Sequence, residues 1–171
     1  MKLKIVVLSL ALVLVPVMVM AQAPSKDIVD TAVAAGQFKT LASLLGKANL
    51  VEQLKHPGPY TVFAPTDEAF AKVPKETMDA LGKNPELLKK VLYYHIVPGK
   101  YVEKDLITLK ECKTLCPTTG GVALLDLKVD KPREKAISVD DAKIIKTDVM
   151  ASNGVIHVID AVLITPMRTE K

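Results

Sequence analysis

Lys146-Thr147-Asp148-Val149-Met150-Ala151-Ser152-Asn153-Gly154-Val155-Ile156-His157-Val158-Ile159-Asp160 is the stretch that decides the fold. Val155 to Ile159 is apolar on both faces except at His157, the pattern of a strand covered on both sides and therefore central in its sheet. Asn153-Gly154 lies between this run and the β-forming run Ala142–Thr147. Asn-Gly is the strongest short hairpin signal, because a primed turn needs φ > 0 at both central residues. The sequence therefore predicts a hairpin turning at Asn153 and Gly154.

Further strands are expected at Gly121–Leu127, Ala136–Val139, Ala142–Thr147 and Val155–Ile164, and one earlier at Tyr60–Ala64. Most of the first half reads as helix. Ser25 is placed to cap a helix ending near Ala35, before Gly36. Phe38, Leu41, Leu44 and Leu45 recur at helical spacing, with a short piece following around Val51–Leu54. His56-Pro57-Gly58-Pro59 is a turn, and Thr66 or Asp67 caps a brief helix. Pro74 opens another helix, closed by Gly82. Asn84-Pro85 starts the next, which carries Leu87, Leu88, Val91 and Leu92. Helices first and sheet second is an α+β arrangement.

At the N-terminus, Met1-Lys2-Leu3-Lys4 precedes an apolar run from Ile5 to Met20, interrupted by Ser9 and Pro16. Charge followed by a short greasy segment and then small residues is a signal peptide. The run falls short of a comfortable membrane span of roughly 20 apolar residues. Cleavage is expected between Ala21 and Gln22. That divides the chain into a leader, residues 1–21, and a single domain, residues 22–171, with its core at about 25–166. The mature protein is then secreted or periplasmic, with no stable membrane span. Lys2 and Lys4 leave with the leader, so 21 basic residues stand against 19 acidic ones, a net charge of +2 rather than +4. The remaining lysines are scattered among acids, which gives no nucleic-acid footprint.

Chemistry is sparse. His56, His95 and His157 are far apart in sequence, with no pair at helical ligand spacing, so no metal site is expected. No serine lies in a G-x-S-x-G elbow, no glycine loop cradles a phosphate, and Asp140-Asp141 lacks calcium-loop spacing. The chain reads as a non-enzyme without a cofactor. Cys112 and Cys116 are its two cysteines. In an exported protein such a pair predicts a disulfide. Residues four apart in a straight strand are roughly 13 Å distant, whereas a bridge needs Cα atoms within about 7 Å. The bridge therefore requires a bend or helical turn at Lys113-Thr114-Leu115; two thiols or a redox pair are the alternatives.

Three ordered segments match one family. Gly58-Pro59-Tyr60-Thr61-Val62-Phe63-Ala64-Pro65-Thr66-Asp67-Glu68-Ala69-Phe70 resembles the first signature block of fasciclin (FAS1) domains. Leu92-Tyr93-Tyr94-His95-Ile96-Val97-Pro98-Gly99 is similar to the central Tyr-His motif, and Ala151 to Asp160, completed by Val162-Leu163, resembles the second block. The resemblance spans roughly residues 25–166. It implies a wedge-shaped β core flanked by helices, and a non-catalytic role in adhesion or extracellular interaction. The partner would be a cell-surface or matrix protein or a polysaccharide. A single copy offers one binding surface and cannot crosslink without self-association.

The resemblance also points to particular residues. Tyr94 and His95 fall on the Tyr-His motif, and Asp148 with Val149 on a short Asp-Ile type motif, both linked in animal relatives to integrin-mediated adhesion. Each has a structural alternative. Tyr94 and His95 can pack and bond inside the fold, with Asp67 a conceivable partner for His95. Asp148 can turn the chain while Val149 enters the core. The segment from Cys112 to Thr119 departs from the family, which commonly runs a plain strand and turn there; a disulfide-pinned bulge is one reading. An alternative function, resting only on the abundance of Leu, Val and Ile, is an exported carrier of a small apolar ligand or lipid.

Overall fold

A computed structural model describes residues 24–118, 121–131, 136–164 and 168–169; the leader and its cleavage point lie outside them. The chain runs α1 (Ile28–Ala35), α2 (Lys39–Lys47), α3 (Val51–Lys55), β1 (Tyr60–Pro65), α4 (Asp67–Ala71), α5 (Lys75–Lys83), α6 (Pro85–Tyr94), β2 (Ile96–Pro98), α7 (Glu103–Thr108), β3 (Glu111–Thr118), β4 (Gly121–Lys131), β5 (Ala136–Val139), β6 (Ala142–Ala151), β7 (Gly154–Ile159) and β8 (Arg168–Thr169). The class is α+β, with the helices concentrated in the N-terminal half.

Local chemistry sets several helix ends. Asp27, rather than Ser25, caps α1 by accepting from the Asp30 N–H at 2.8 Å, and Gly36 ends it at φ 72°. Thr66 accepts from the Ala69 N–H at the start of α4. Asn84 accepts from the Leu87 N–H, with Pro85 at the first position of α6.

The sheet is mixed, in the order β2-β1-β7-β6-β5-β4-β3, with β8 alongside β4. β1 pairs parallel with β7, from Tyr60↔Gly154 to Pro65↔Ile159; the other neighbours are antiparallel. β2 and β3, at opposite ends of that order, lie against each other, so the sheet curls around its own interior. Period-2 alternation divides β1 and β7 between two cores. Val62, Ala64, Ile156 and Val158 face the helices, joining Leu41, Leu45, Leu54 and Val91. Phe63 and Ile159 face inward, joining Tyr94, Leu106, Leu125 and Val139. Burial on both faces explains why the β7 sequence is apolar throughout.

Two further expectations do not hold, the disulfide and the primed turn. No disulfide joins Cys112 and Cys116. Both belong to β3, and Cys112, Thr114 and Cys116 are all buried, so they line one face of the strand. Side chains spaced along one face do not turn toward each other. β3 does carry a bulge, its register shifting between Lys113↔Leu124 and Pro117↔Val122, but hydrogen bonds hold it: the Thr114 hydroxyl donates to the Ala123 carbonyl and accepts from the Cys116 N–H. Burial pushes the Cys112 thiol up to about 11 and also raises Cys116.

The second correction concerns the hairpin. Ala151 pairs with Gly154, so the two-residue loop is Ser152-Asn153, and neither Asn153 nor Gly154 has positive φ. The glycine serves close approach instead. A Cβ on Gly154 would run into the Tyr60 carbonyl of parallel β1 and stand 2.8 Å from Ile28 Cδ1. Asn153 is a clamp. Its Oδ1 accepts from the Ile28 N–H at 2.9 Å. Its Nδ2 donates to the carbonyls of Leu54 at 2.6 Å and His56 at 3.2 Å. Its own carbonyl accepts from the Tyr60 N–H.

Two glycines separate close approach from ordinary flexibility. Gly154→Ala should lose about 2–4 kcal/mol in urea unfolding, since backbone cannot yield as a side chain can. Gly46→Ala, at an exposed position of α2 with nothing within 4 Å of the new carbon, should gain about 0.5–1 kcal/mol. Equal effects would refute the close-approach role. Intact mass should be the same with and without reductant; a two-hydrogen difference would restore the bridge.

Candidate functional site

The Tyr-His pair sits where α6 meets β2. Tyr94 is buried, and its hydroxyl lies 2.8 Å from an Asp140 carboxylate oxygen and 2.9 Å from the Leu124 carbonyl. Burial, then the Asp140 carboxylate, holds the phenol well above its ordinary range. Asp140 is left-handed at φ 50°, in the turn between β5 and β6, where its other oxygen accepts from the Asp126 N–H. Tyr94 thus fastens α6 to the far side of the curled sheet. Tyr93 points elsewhere, donating to Gln53 Oε1 at 2.8 Å.

His95 is also buried. Its Nδ1 is 2.7 Å from the Val91 carbonyl, and its Nε2 accepts from the Leu163 N–H at 3.1 Å. An acceptor facing Nδ1 and a donor facing Nε2 specify one neutral tautomer, protonated on Nδ1. The expected Asp67–His95 pair does not form. Asp67 instead caps α2 from outside: Phe38 supplies no side-chain cap, and the Asp67 carboxylate accepts from the Thr40 N–H at 2.8 Å and the Lys39 N–H at 3.3 Å. The Thr40 N–H bond is the main reason this carboxyl sits below its usual range. A negative charge at this helix N-terminus answers unsatisfied N–H groups.

Asp148 and Val149 lie on β6, whose pairing with β7 slips twice, between Ile144 and Lys146 and between Lys146 and Val149. Asp148 occupies the second bulge at φ 55°. Its Oδ1 accepts from the Glu103 N–H at 2.8 Å, at the start of α7. The Thr147 hydroxyl donates to Glu103 Oε2 at 3.1 Å. Beneath them, His157 approaches the Tyr101 carbonyl with Nε2 at 2.8 Å, and its Nδ1 faces the Asp148 N–H at 3.4 Å. Its ring stacks on Phe63 with centroids 5.7 Å apart. Val149 is half-buried against the helix-side core. The bulges leave Ile145 59% exposed and Met150 38% exposed.

The structure therefore joins Asp148 to His157, and keeps Tyr94, His95 and Asp67 in three separate settings. Glu103 and Tyr101 carry no sequence signal of their own, and Asp140, considered in sequence only against a calcium loop, is the partner of Tyr94. Asp105, which accepts from the Val102 N–H at the start of α7, was the available signal for that helix. Among the described residues, no group of three His, Cys, Asp or Glu side chains is placed to hold a metal, and no helix is long and apolar enough to cross a membrane. The apolar crevice between α1, α2 and the sheet measures about 20 Å³, far short of the roughly 300 Å³ at which small-molecule pockets begin. A more open groove of about 290 Å³ is lined by Gln37, Thr66, Asp67, Glu68 and Ile145.

Burial lowers the His95 pKa from 6.5 to about 4 and shifts His157 the same way. Between those values the unfolded chain binds a proton at position 95 that the folded chain refuses. Stability contributed by neutral His95 is thus complete above 6.5 and falls as pH drops toward 4, by up to about 1.4 kcal/mol per pH unit. His95→Gln, which keeps an acceptor for Leu163 and a donor for Val91, should show a shallower loss in urea unfolding between those pH values. An unchanged slope would place the acid sensitivity elsewhere.

Comparison with known proteins agrees with this architecture. The family model of the Fasciclin domain matches residues 36–165. Protein sll1735 of Synechocystis sp. is 41% identical over 138 residues, covering 81% of this chain and 97% of that protein. Immunogenic protein MPT70 of Mycobacterium tuberculosis is 31% identical over 136 residues, covering 80% of this chain and 62% of that one. Among solved structures, a FAS1 domain pair from the insect cell adhesion molecule Fasciclin I superposes with a TM-score of 0.63 at 17% identity, over 82% of this chain and 51% of that chain. With its curled mixed sheet, its N-terminal helices and a match over most of its length, the chain belongs to the fasciclin domain family.

Proposed function

We propose that the mature domain is an exported, non-catalytic interaction module acting in cell adhesion, with a cell-surface or matrix protein or a polysaccharide as its partner. Family membership supports this reading, as does the leader-like sequence of residues 1–21. The observation that carries it at residue level is the contrast between the two motif regions. Tyr94 and His95 are enclosed and bonded within the fold, so they act on a partner only by holding the framework. β6 is the motif region that meets solvent, through Ile145, Lys146 and Met150. Asp148 sets the shape of that strand by capping α7 from its bulge, and Val149 anchors it to the core.

The exposed face and its support are separable by mutation. Ile145→Ser and Met150→Ser should each weaken binding of the labelled mature domain to envelopes of the source cells while leaving the thermal midpoint unchanged. Asp148→Ala should cost about 1–2 kcal/mol, as loss of a helix cap does, and weaken binding as a consequence. If both serine variants bind like the wild type, β6 is not the contact surface.

A further inference from the structure

Asn-Gly is the dipeptide in which an asparagine most readily attacks its own chain, because glycine leaves the following backbone nitrogen unshielded. Here that dipeptide stands at the junction of α1, α3 and β1, as Asn153-Gly154. We infer that Asn153 is a latent self-modification site: the native fold holds it inert, and unfolding of this junction lets it deamidate and prevents the return.

The reaction needs no outside catalyst. The Gly154 backbone nitrogen bonds to Asn153 Cγ, the Cγ–Nδ2 bond breaks, and Nδ2 leaves as ammonia with the proton from Gly154. Water then opens the resulting succinimide at either carbonyl, leaving an aspartyl or isoaspartyl linkage.

For attack, the Asn153–Gly154 peptide must swing toward the side-chain amide. The fold blocks both movements. The peptide is held because the Asn153 carbonyl accepts from the Tyr60 N–H at 3.1 Å, and Gly154 lies in register with Tyr60 and Ala151. The amide is held because both of its atoms are in use, Oδ1 by the Ile28 N–H and Nδ2 by the carbonyls of Leu54 and His56. The residue is only 9% exposed. Adjacent Ser152, exposed, is tied through its N–H to the Lys26 carbonyl, so the loop cannot lift without freeing the segment before α1.

The product does not fit the same place. A carboxylate has no hydrogen to offer Leu54 and His56, and it would face two carbonyl oxygens at hydrogen-bond distance while largely cut off from water. An isoaspartyl linkage adds a backbone atom inside a two-residue loop. Either outcome removes the clamp joining α1, α3 and β1. A chain that opens for long enough is thereby committed to the open state, and the rate of conversion under native conditions reports how often this junction opens.

The test incubates the mature wild-type domain in mildly alkaline buffer, with and without concentrated urea. The one-unit mass gain is followed in the peptide containing residues 153 and 154. Conversion in urea should be at least about tenfold faster than in the native protein, a protection of the kind local structure confers. Converted chains should fail to regain the native circular dichroism spectrum when urea is removed, whereas unconverted chains from the same sample recover it. A native rate within twofold of the urea rate would overturn the protection. Asn153→Asp supplies one product directly; wild-type stability in that variant would overturn the one-way step, and failure to fold would support it.

Discussion

The Asn153 side chain holds together parts of the chain that otherwise have little reason to meet. α1, α3 and the entry to β1 are short, and helices of five to eight residues are not stable alone. Their apolar faces need a shared surface, and the sheet provides it. What fixes their positions on that surface is the amide at the β6–β7 turn, reaching Ile28, Leu54 and His56. These contacts span 97 to 125 residues of sequence, so the clamp ties the N-terminal helices to a turn near the other end of the domain. Gly154 makes the arrangement possible by letting β1 come close enough for the parallel register to begin at Tyr60.

That parallel pair is the wall between two cores. Each residue of β1 and β7 serves one side or the other, and the polar ones are the exceptions that need explaining. Thr61 accepts from the Tyr101 N–H and donates to the Gly99 carbonyl, fixing the chain between β2 and α7. His157 reaches the Tyr101 carbonyl on that same connection and faces Asp148 across the sheet. Buried polar groups are costly unless satisfied, and here each one secures a segment without regular secondary structure. The helix α7 is too short to hold its place by its own hydrogen bonds; Asp148 and Thr147 from β6 supply what it lacks.

Much of this was readable in the sequence because the signals were local. Asn84-Pro85 caps a helix through atoms three residues apart, and the apolar run Val155–Ile159 announces a doubly covered strand without reference to any partner. The failures share a physical cause: the interaction that decided the outcome was distant. Gly154 looks like a turn glycine until β1 is placed beside it. Asp67 looks like a local cap, or a partner for His95, until α2 is seen to begin without a side-chain cap of its own. The two cysteines invite a bridge by compartment and even number, against their spacing, and the strand that carries them keeps them on one face, where the inner core absorbs both as apolar groups. α7 escapes a local reading because its N-terminus is satisfied by Asp105 and by Asp148 of β6, and only the first of these is nearby in sequence.

The same division bears on how a partner can be recognised. Motif residues that are spent inside the fold, Tyr94 on Asp140 and His95 on Val91 and Leu163, determine shape and cannot themselves discriminate between ligands. Under the proposed function, discrimination falls to side chains whose replacement leaves that shape alone. On β6 the two bulges separate these roles within a few residues. Asp148 and Val149 turn inward to α7 and the core, while Ile145 and Met150 turn outward. A strand that is regular on one side of each bulge and open on the other can change its exposed residues without disturbing the register of β7, the clamp at Asn153, or the cores on either side of the wall.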